Sequence, residues 1–161
     1  MSNSATSDTP GLITRPPYFL LLALALAAAL DLAADLSFLA ASGLASLQSW
    51  IGLAFVLGAI ALAVSGVRTF RRASTNVDPF QPALTLVTDG PYRFTRNPMY
   101  LGMVLFLLGV SLMFSLEWGL LLTPALWLAY DRLVVAREEA YLSRKFGEPY
   151  RAFLGGTRRW I

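Results

Sequence analysis

The fold is decided by residues 97–136, which read NPMYLGMVLFLLGVSLMFSLEWGLLLTPALWLAYDRLVVA. The first 20 of them, Asn97 to Leu116, carry no charged side chain. At about 1.5 Å per residue this run makes roughly 30 Å of helix, the thickness of the hydrocarbon core of a bilayer. Glu117-Trp118-Gly119 then forms a polar break, after which an apolar run returns. The stretch predicts a hairpin of two transmembrane helices, over 98–116 and 119–136.

The composition of the whole chain also favours a membrane protein. Of its 161 residues 56% are apolar and only 14% are charged, and the mean hydropathy is +0.57. So few charges cannot cover the surface of a soluble domain. The sequence has no cysteine and no histidine, which removes the commonest metal ligands and the usual proton shuttle. We therefore predict a small integral membrane protein with no metal site, and no nucleic-acid partner in spite of its net charge of +3.

Two further spans are predicted before the hairpin. Pro16-Pro17 sets a helix start, and the apolar sequence that follows predicts a span over 17–41. Polar clusters then indicate a turn, and a second span is expected over 50–67. The predicted fold class is all-α, with four transmembrane helices, a cytoplasmic loop and a C-terminal amphipathic helix. Residues 1–11 are rich in Ser, Thr and Asp, and we predict a disordered cytoplasmic tail over 1–15 ahead of one membrane domain, 16–161.

The basic residues fall on one side of this topology. With the N-terminus inside, Arg15, the polar loop 68–97 and the chain from Arg132 onward share a side, and they hold all 13 Lys and Arg residues. This asymmetry is typical of cytoplasmic segments. We expect both termini and the site in the cytoplasm, at the inner membrane if the source is bacterial. A signal peptide is the weaker interpretation of the first span, because only Arg15 supplies a basic residue before it.

Three acidic residues lie toward the opposite side. Asp31 and Asp35 are four apart and share a face of the first helix, and Glu117 lies in the turn of the hairpin. A carboxylate at the edge of a membrane costs free energy, so such a residue usually has a structural or functional role. The simpler prediction is that the two aspartates lie in interfacial water or bond a neighbouring helix, with a proton or substrate role as the alternative. Glu117 is expected to be solvated.

Two polar clusters flank the hairpin on the cytoplasmic side. The first is Asp89-Gly90-Pro91-Tyr92-Arg93-Phe94-Thr95-Arg96-Asn97-Pro98-Met99-Tyr100, where helical N–H groups favour anions. In the second, Arg132 and Glu139 are seven apart and are predicted to share a helix face, as are Asp131 and Glu138. Taken alone, the first cluster is explained as an anchor of snorkelling arginines, and the second as a solvated helix. Because the hairpin brings them together, we predict one site, in which an arginine and a glutamate bind a zwitterionic ligand.

The order of three motifs resembles one superfamily of membrane enzymes. Gly90-Pro91-Tyr92-Arg93-Phe94-Thr95-Arg96-Asn97-Pro98-Met99-Tyr100-Leu101-Gly102 leads into the hairpin, Glu138-Glu139-x-x-Leu142 follows it, and Phe146-Gly147-Glu148-x-Tyr150 comes next. Over about residues 86–154 this pattern resembles the isoprenylcysteine carboxyl methyltransferase and phospholipid methyltransferase superfamily. The resemblance implies a multi-pass methyltransferase that binds S-adenosylmethionine at the cytoplasmic face, between the hairpin and the C-terminal helix.

The resemblance also implies roles for single residues. Arg96 to Tyr100 match the superfamily's Arg-His-Pro-x-Tyr segment, and Glu138-Glu139 match its paired glutamates. Arg96 and Glu139 are then the expected catalytic residues and Arg132 the expected substrate-binding residue. The expected cofactor-binding residues are Tyr92, Arg93, Asn97, Pro98, Tyr100, Leu101 and Glu138. Asn97 departs from the family's His, and its amide can bind a cofactor but cannot exchange a proton.

The missing histidine bears on the methyl acceptor. A carboxylate acceptor arrives deprotonated, whereas an ammonium group must first lose a proton to a base. We therefore favour a carboxylate on a lipidic or isoprenoid-linked substrate drawn from the bilayer, with N-methylation of a phospholipid amine as the alternative. A membrane NADPH-dependent reductase and a non-enzymatic membrane scaffold are the alternatives from other classes. The sequence identifies neither the acceptor nor the oligomeric state.

Overall fold

The computed structural model describes residues 8–34, 36–43 and 46–161. A 3-10 turn, Gly90–Arg93, precedes the third long helix, and a π-helical segment, Tyr130–Val135, continues the fourth helix into the fifth. No strand occurs among the described residues, so the predicted all-α fold class is confirmed. The helices are α1 (Pro16–Ala33), α2 (Leu47–Arg72), α3 (Pro98–Phe114), α4 (Glu117–Ala129), α5 (Ala136–Phe146) and α6 (Glu148–Gly156).

Within the described residues, three helices are long and apolar enough to cross a membrane: α1, α2 and the continuous helix Glu117–Phe146. The apolar helix α3 has 17 residues and is shorter than these. Large apolar side chains such as Leu22 on α1 and Leu57 on α2 are exposed, as lipid-facing side chains are. The chain is thus a helical protein with three candidate spans, and the count of four remains a prediction.

Prolines start the helices where the sequence predicted. Pro16 and Pro98 occupy the first position of α1 and α3, where the missing N–H costs nothing because it would have no helical partner. The far ends differ from the prediction. Helix α1 ends at Ala33, before the expected residue 41, and α2 extends beyond the expected 50–67 at both ends.

Glu117 explains why α1 stops early. Its carboxylate accepts hydrogen bonds, 2.8 to 3.1 Å long, from the backbone N–H groups of Leu36, Ser37 and Leu39. Asp31 in turn accepts a bond of 3.0 Å from the N–H of Glu117. Glu117 is only 3% exposed, so the prediction that it is solvated is wrong: backbone amides replace the water. Asp31 bonds a neighbouring helix, and Asp35 lies outside the described residues.

Helices α2 and α3 pack backbone to backbone. A Cβ on Gly52 would lie 2.6 Å from the carbonyl oxygen of Gly109, and a Cβ on Gly109 would lie 2.7 Å from that of Gly52. Between α3 and α4, a Cβ on Gly119 would lie 2.1 Å from Ser111 Oγ. Small residues of this kind let helices approach closely where water cannot drive their association. These contacts make α2 and the hairpin one bundle.

The N-terminal segment packs against α5. Lys145 Nζ donates to Asp8 Oδ2 at 2.6 Å, Arg137 donates to the carbonyl of Gly11 at 2.8 Å, and Leu12 lies in the core. The hydrogen bond from Lys145 lowers the pKa of the Asp8 carboxyl. The sequence predicted a disordered tail here, but residues 8–15 contact the fold, while residues 1–7 lie outside the described part of the chain.

Candidate functional site

A cavity of about 110 Å³ lies at the end of the bundle that holds the basic residues. The loop over 76–87 forms one wall, and the start of α3 forms another. Helices α5 and α6 close it from the C-terminal side. Its polar and aromatic lining includes Phe70, Tyr92, Arg96, Asn97, Tyr100, Glu138, Tyr141 and Tyr150.

Glycine shapes the wall that leads into α3. Gly90 has a φ of +59°, in the left-handed region that favours glycine. Its backbone lies so close to Thr69 that a Cβ would come within 2.8 Å of the hydroxyl oxygen. The 3-10 turn that follows packs the Tyr92 ring against Phe70, with 5.3 Å between ring centroids. This local path sets Tyr92 and then Arg96 on the cavity wall.

Arg96 joins the start of α3 to both C-terminal helices. One terminal nitrogen donates to the carbonyl of Leu154 at 2.9 Å, and the other lies 3.1 Å from Glu139 Oε1. The Arg96 side chain is 12% exposed and that of Glu139 is 15% exposed. The Nε atom of Arg96 is buried and has no hydrogen-bond partner among the described residues. The arginine therefore keeps one donor that a ligand can use.

Glu138 lies on the cavity wall beside Tyr100. The hydroxyl of Tyr100 donates to Glu138 Oε1 at 2.5 Å. This bond joins the first turn of α3 to α5, so the two polar clusters that flank the hairpin meet, as the sequence predicted. Asn97 also lines the cavity, and its side-chain N–H donates to the carbonyl of Arg159 at 2.9 Å.

Two phenols in the wall can act as hydrogen-bond donors. Tyr92 is 5% exposed, and its buried hydroxyl has no partner in the described part of the chain. Burial raises the pKa of Tyr92 and of Tyr150 well above that of a free tyrosine. Both phenols are protonated at neutral pH, so they can bind an anion but cannot serve as bases there.

Glu139 lies behind this wall and is shared by two guanidinium groups. Besides Arg96, Arg159 binds both oxygens of Glu139, with Nε 3.1 Å from Oε1 and a terminal nitrogen on Oε2. The same guanidinium lies 3.2 Å from Asp131 Oδ1, which also accepts a bond of 2.9 Å from the indole of Trp160. The hydrogen bond to Glu139 raises the pKa of Arg159.

Four of the predicted contact residues lie away from the cavity lining that the structure describes. Arg93 is exposed on the 3-10 turn. Arg132 has a 75% exposed side chain, whose Nε lies 3.5 Å from Asp131 Oδ2. Pro98 is buried in the first turn of α3, and Leu101 is half-buried on the same helix. The geometry therefore concentrates the predicted site on Tyr92, Arg96, Asn97, Tyr100 and Glu138, with Glu139 behind them.

The predicted pairing by a spacing of seven is wrong. It put Asp131 with Glu138 and Arg132 with Glu139. Instead, Asp131 and Glu139 meet at Arg159, while Glu138 bonds Tyr100. The cause is the π-helical segment Tyr130–Val135, in which hydrogen bonds span five residues and each turn takes more residues than in an α-helix. The segment thus adds one residue to the helical repeat, so residues seven apart across it no longer share a face.

Sequence reasoning missed Arg159, Trp160 and the loop over 76–87. The available signal was the Arg158-Arg159-Trp160 run, which begins one residue after Gly155-Gly156 and was assigned only to the positive side of the membrane. A guanidinium pair followed by an indole after a helix end also fits a segment that docks on carboxylates.

Known proteins are similar to part of this chain. A family model described as phospholipid methyltransferase matches residues 47–149. A Protein-S-isoprenylcysteine O-methyltransferase from Schizosaccharomyces pombe is 35% identical over 69 residues, which are 42% of this chain and 29% of the yeast protein. An uncharacterized protein from Haemophilus influenzae is 39% identical over 66 residues, which are 39% of this chain and 100% of that protein. No solved structure matches. The chain thus aligns with under a third of the yeast protein.

Proposed function

The chain belongs to the phospholipid methyltransferase family, and we propose that it is an integral membrane enzyme that transfers a methyl group from S-adenosylmethionine to a lipidic or isoprenoid-linked acceptor, preferably a carboxylate. One observation carries the proposal. Arg96, Tyr100 and Glu138, which match motif residues of the superfamily, line a single cavity together with Asn97, which stands where the family has His.

The cavity lining fits the proposed cofactor. The amino-acid part of S-adenosylmethionine carries a carboxylate and an ammonium group, and the unpartnered hydroxyl of Tyr92 and the carboxylate of Glu138 suit them in turn. Aromatic rings such as those of Tyr141 and Tyr150 can stabilise a sulfonium cation or stack on a base. These residues would therefore hold the cofactor without a metal.

When bound, S-adenosylmethionine supplies an electrophilic methyl group on a positively charged sulfur. The work left to the chain is alignment of the acceptor and exclusion of water. The free Nε of Arg96 would orient an acceptor carboxylate, which needs no base because it is already ionised. An acceptor of this kind can keep its apolar tail in the bilayer while its head group reaches the cavity.

Glu138 supports a second acceptor class, the amine of a phospholipid. An ammonium group must lose its proton before it attacks, and Glu138 is a carboxylate on the cavity wall. The name of the matching family points the same way. The two acceptor classes differ in their products, since a carboxylate gives an ester and an amine gives a methylamine.

We place the cavity at the cytoplasmic face. All 13 Lys and Arg residues fall on the predicted inner side. Two contacts support the prediction that the N-terminal segment, the polar loop and the C-terminal helices lie at the same end of the bundle. Asp8 bonds Lys145, and Arg15 lies 3.3 Å from Asp78 in the loop. Reporter fusions after α6 and within the turn between α3 and α4 test this orientation, with the first expected inside and the second outside.

The direct test of the function uses membranes that contain the protein and S-adenosylmethionine with a labelled methyl group. The label should move into the lipid fraction and be released by mild alkali, because esters hydrolyse and methylamines do not. An alkali-stable lipid product would select the amine class. Absence of label from the lipid and peptide fractions, together with no cofactor binding by the purified protein, would contradict the proposal.

A further inference from the structure

Residues 157–161, which we term the C-terminal clasp, lie across the back of the candidate site. The carbonyl of Arg158 accepts a bond of 2.9 Å from the backbone N–H of Arg96. The carbonyl of Arg159 accepts bonds of 2.9 Å from the Asn97 amide and 3.2 Å from the Thr95 hydroxyl. The clasp therefore holds three consecutive residues, Thr95, Arg96 and Asn97, of which the last two line the cavity. It lies beyond residue 149, where the match to the family model ends.

The side chain of Arg159 anchors the clasp. It binds both oxygens of Glu139 on α5 and lies 3.2 Å from Asp131 in the π-helical segment. Trp160 adds a bond of 2.9 Å to Asp131 and packs near Trp127, with 5.9 Å between ring centroids. A guanidinium suits this role because its planar fork can bind two carboxylates at fixed angles, which an ammonium group cannot do.

Arg159 and Arg96 share the carboxylate of Glu139. Glu139 Oε1 lies 3.1 Å from a terminal nitrogen of Arg96 and 3.1 Å from Arg159 Nε. One negative charge is therefore divided between two guanidinium groups. Because Arg159 occupies both oxygens of Glu139, Arg96 meets only one of them, and its Nε stays without a partner. Without Arg159, Glu139 would be free to pair with Arg96 through both oxygens and to neutralise it.

We propose that Arg159 is a positioning residue for methyl transfer. By holding Glu139 and Asp131 it fixes the clasp, and through the clasp it keeps Arg96 and Asn97 at the cavity. This inference rests on the proposed methyltransferase function. Arg159 does not line the cavity described here, so its effect passes through the residues that do.

The test compares three variants of the full chain in reconstituted vesicles: Arg159→Ala, Arg159→Lys and the control Arg151→Ala. Arg151 has a 66% exposed side chain, 3.3 Å from Glu148 on the same helix, so the control removes an equal charge from the surface. For Arg159→Ala we expect kcat to fall about 100-fold, the size of loss that a displacement of roughly 1 Å at a site can cause. Arg159→Lys should recover about tenfold, because one of the two bonds to Glu139 can re-form.

A second measurement reports on the clasp without any need for activity. The sequence has no cysteine, so Ile161→Cys creates a unique attachment point for a spin label. The label should become mobile in the Arg159→Ala background and keep the wild-type spectrum in the Arg151→Ala background. Cofactor affinity and thermal unfolding, measured on the same samples, separate displacement of the clasp from global unfolding.

The outcomes are distinct. A kcat in Arg159→Ala equal to that of Arg151→Ala, a label that stays immobile, or no recovery in Arg159→Lys would overturn the positioning role. If the wild-type protein transfers no methyl group, the proposed function fails, but the label spectra still show whether Arg159 holds the clasp.

Discussion

The two ends of the helical bundle use carboxylates in opposite ways. At one end Glu117 is buried and satisfied by three backbone N–H groups, while Asp31 accepts the N–H of Glu117. At the other end Glu138 and Glu139 bond side chains: the first bonds Tyr100, and the second is shared by two arginines. Backbone donors fix a carboxylate in one place, whereas side-chain partners can be exchanged for a ligand.

The donors left without partners sharpen this contrast. Near the cavity, Arg96 Nε and Tyr92 OH are buried and unpartnered among the described residues. Such groups are costly in a folded protein unless something binds them. At the opposite end, the amides around Glu117 are paired with it, and the buried atom without a partner among the described residues is an acceptor, Asp31 Oδ2. The comparison predicts that changes at the Glu117 end act on stability and that changes at the cavity act on catalysis.

The largest expected effect is that of Arg96→Ala. Loss of the cation should lower kcat/KM about 1000-fold, or about 4 kcal/mol of transition-state stabilisation, while the protein still inserts into membranes. Arg93→Ala is the matched control, since Arg93 lies three residues away and is exposed; its kcat/KM should change less than about threefold. Equal losses in the two variants, measured by methyl transfer in vesicles, would contradict the geometry of the site.

The next effect in size belongs to the opposite end. Glu117→Ala leaves three backbone N–H groups without their acceptor, which should lower the free energy of unfolding by about 3 kcal/mol or more. Glu117→Gln keeps one acceptor oxygen and should lose less. Thermal unfolding in detergent measures both. Cofactor affinity in the folded fraction should equal that of the wild-type protein, and a selective loss of affinity would refute the division between the two ends.

A smaller effect is expected for Tyr100→Phe. This change removes the hydroxyl that bonds Glu138 and keeps the ring that stacks on Tyr130, with centroids 5.4 Å apart. A hydrogen bond to a charged group contributes about 1.5 kcal/mol or somewhat more, so kcat/KM should fall roughly 10- to 20-fold with little change in expression. A variant with wild-type kinetics would mean that the position of Glu138 is set by other contacts.

The smallest effect is expected at the surface, for Asp8→Asn. The pKa of Asp8 is lowered in the folded protein by its hydrogen bond from Lys145. The pair therefore contributes stability above the ordinary carboxyl pKa of about 4, and that contribution is lost as the pH falls through the lowered value. Unfolding temperatures of the wild-type and Asp8→Asn proteins should differ slightly at pH 7 and converge toward pH 3. A constant difference across that range would exclude the pair as the cause.

Local sequence rules predicted the parts of the fold that depend on local sequence. Pro16 and Pro98 start helices because proline suits the first turn, and the long uncharged runs became helices. The end of α1 was missed because it depends on Glu117, which is about 80 residues away in sequence and close in space. No pattern within 17–41 contains that information.

The same distinction applies to the candidate site. Motif spacing indicated that Arg96 and Glu138 belong together, and the hairpin explains why they meet. The partner of Glu139 and Asp131 was missed because the π-helical segment shifts the helix phase, and because Arg159 arrives from a separate segment of the chain. The contact of Arg96 with the backbone carbonyl of Leu154 could not be predicted from side-chain types, because every residue carries such a carbonyl.

The most direct test of the account is a titration of the purified wild-type protein with S-adenosylmethionine, beside Tyr92→Phe, Glu138→Gln and Glu117→Gln. We predict that the wild-type and Glu117→Gln proteins bind with equal affinity and that the two cavity variants bind at least about tenfold more weakly, a difference of about 1.4 kcal/mol. Unchanged Kd values in both Tyr92→Phe and Glu138→Gln would contradict the claim that these groups form the cofactor site.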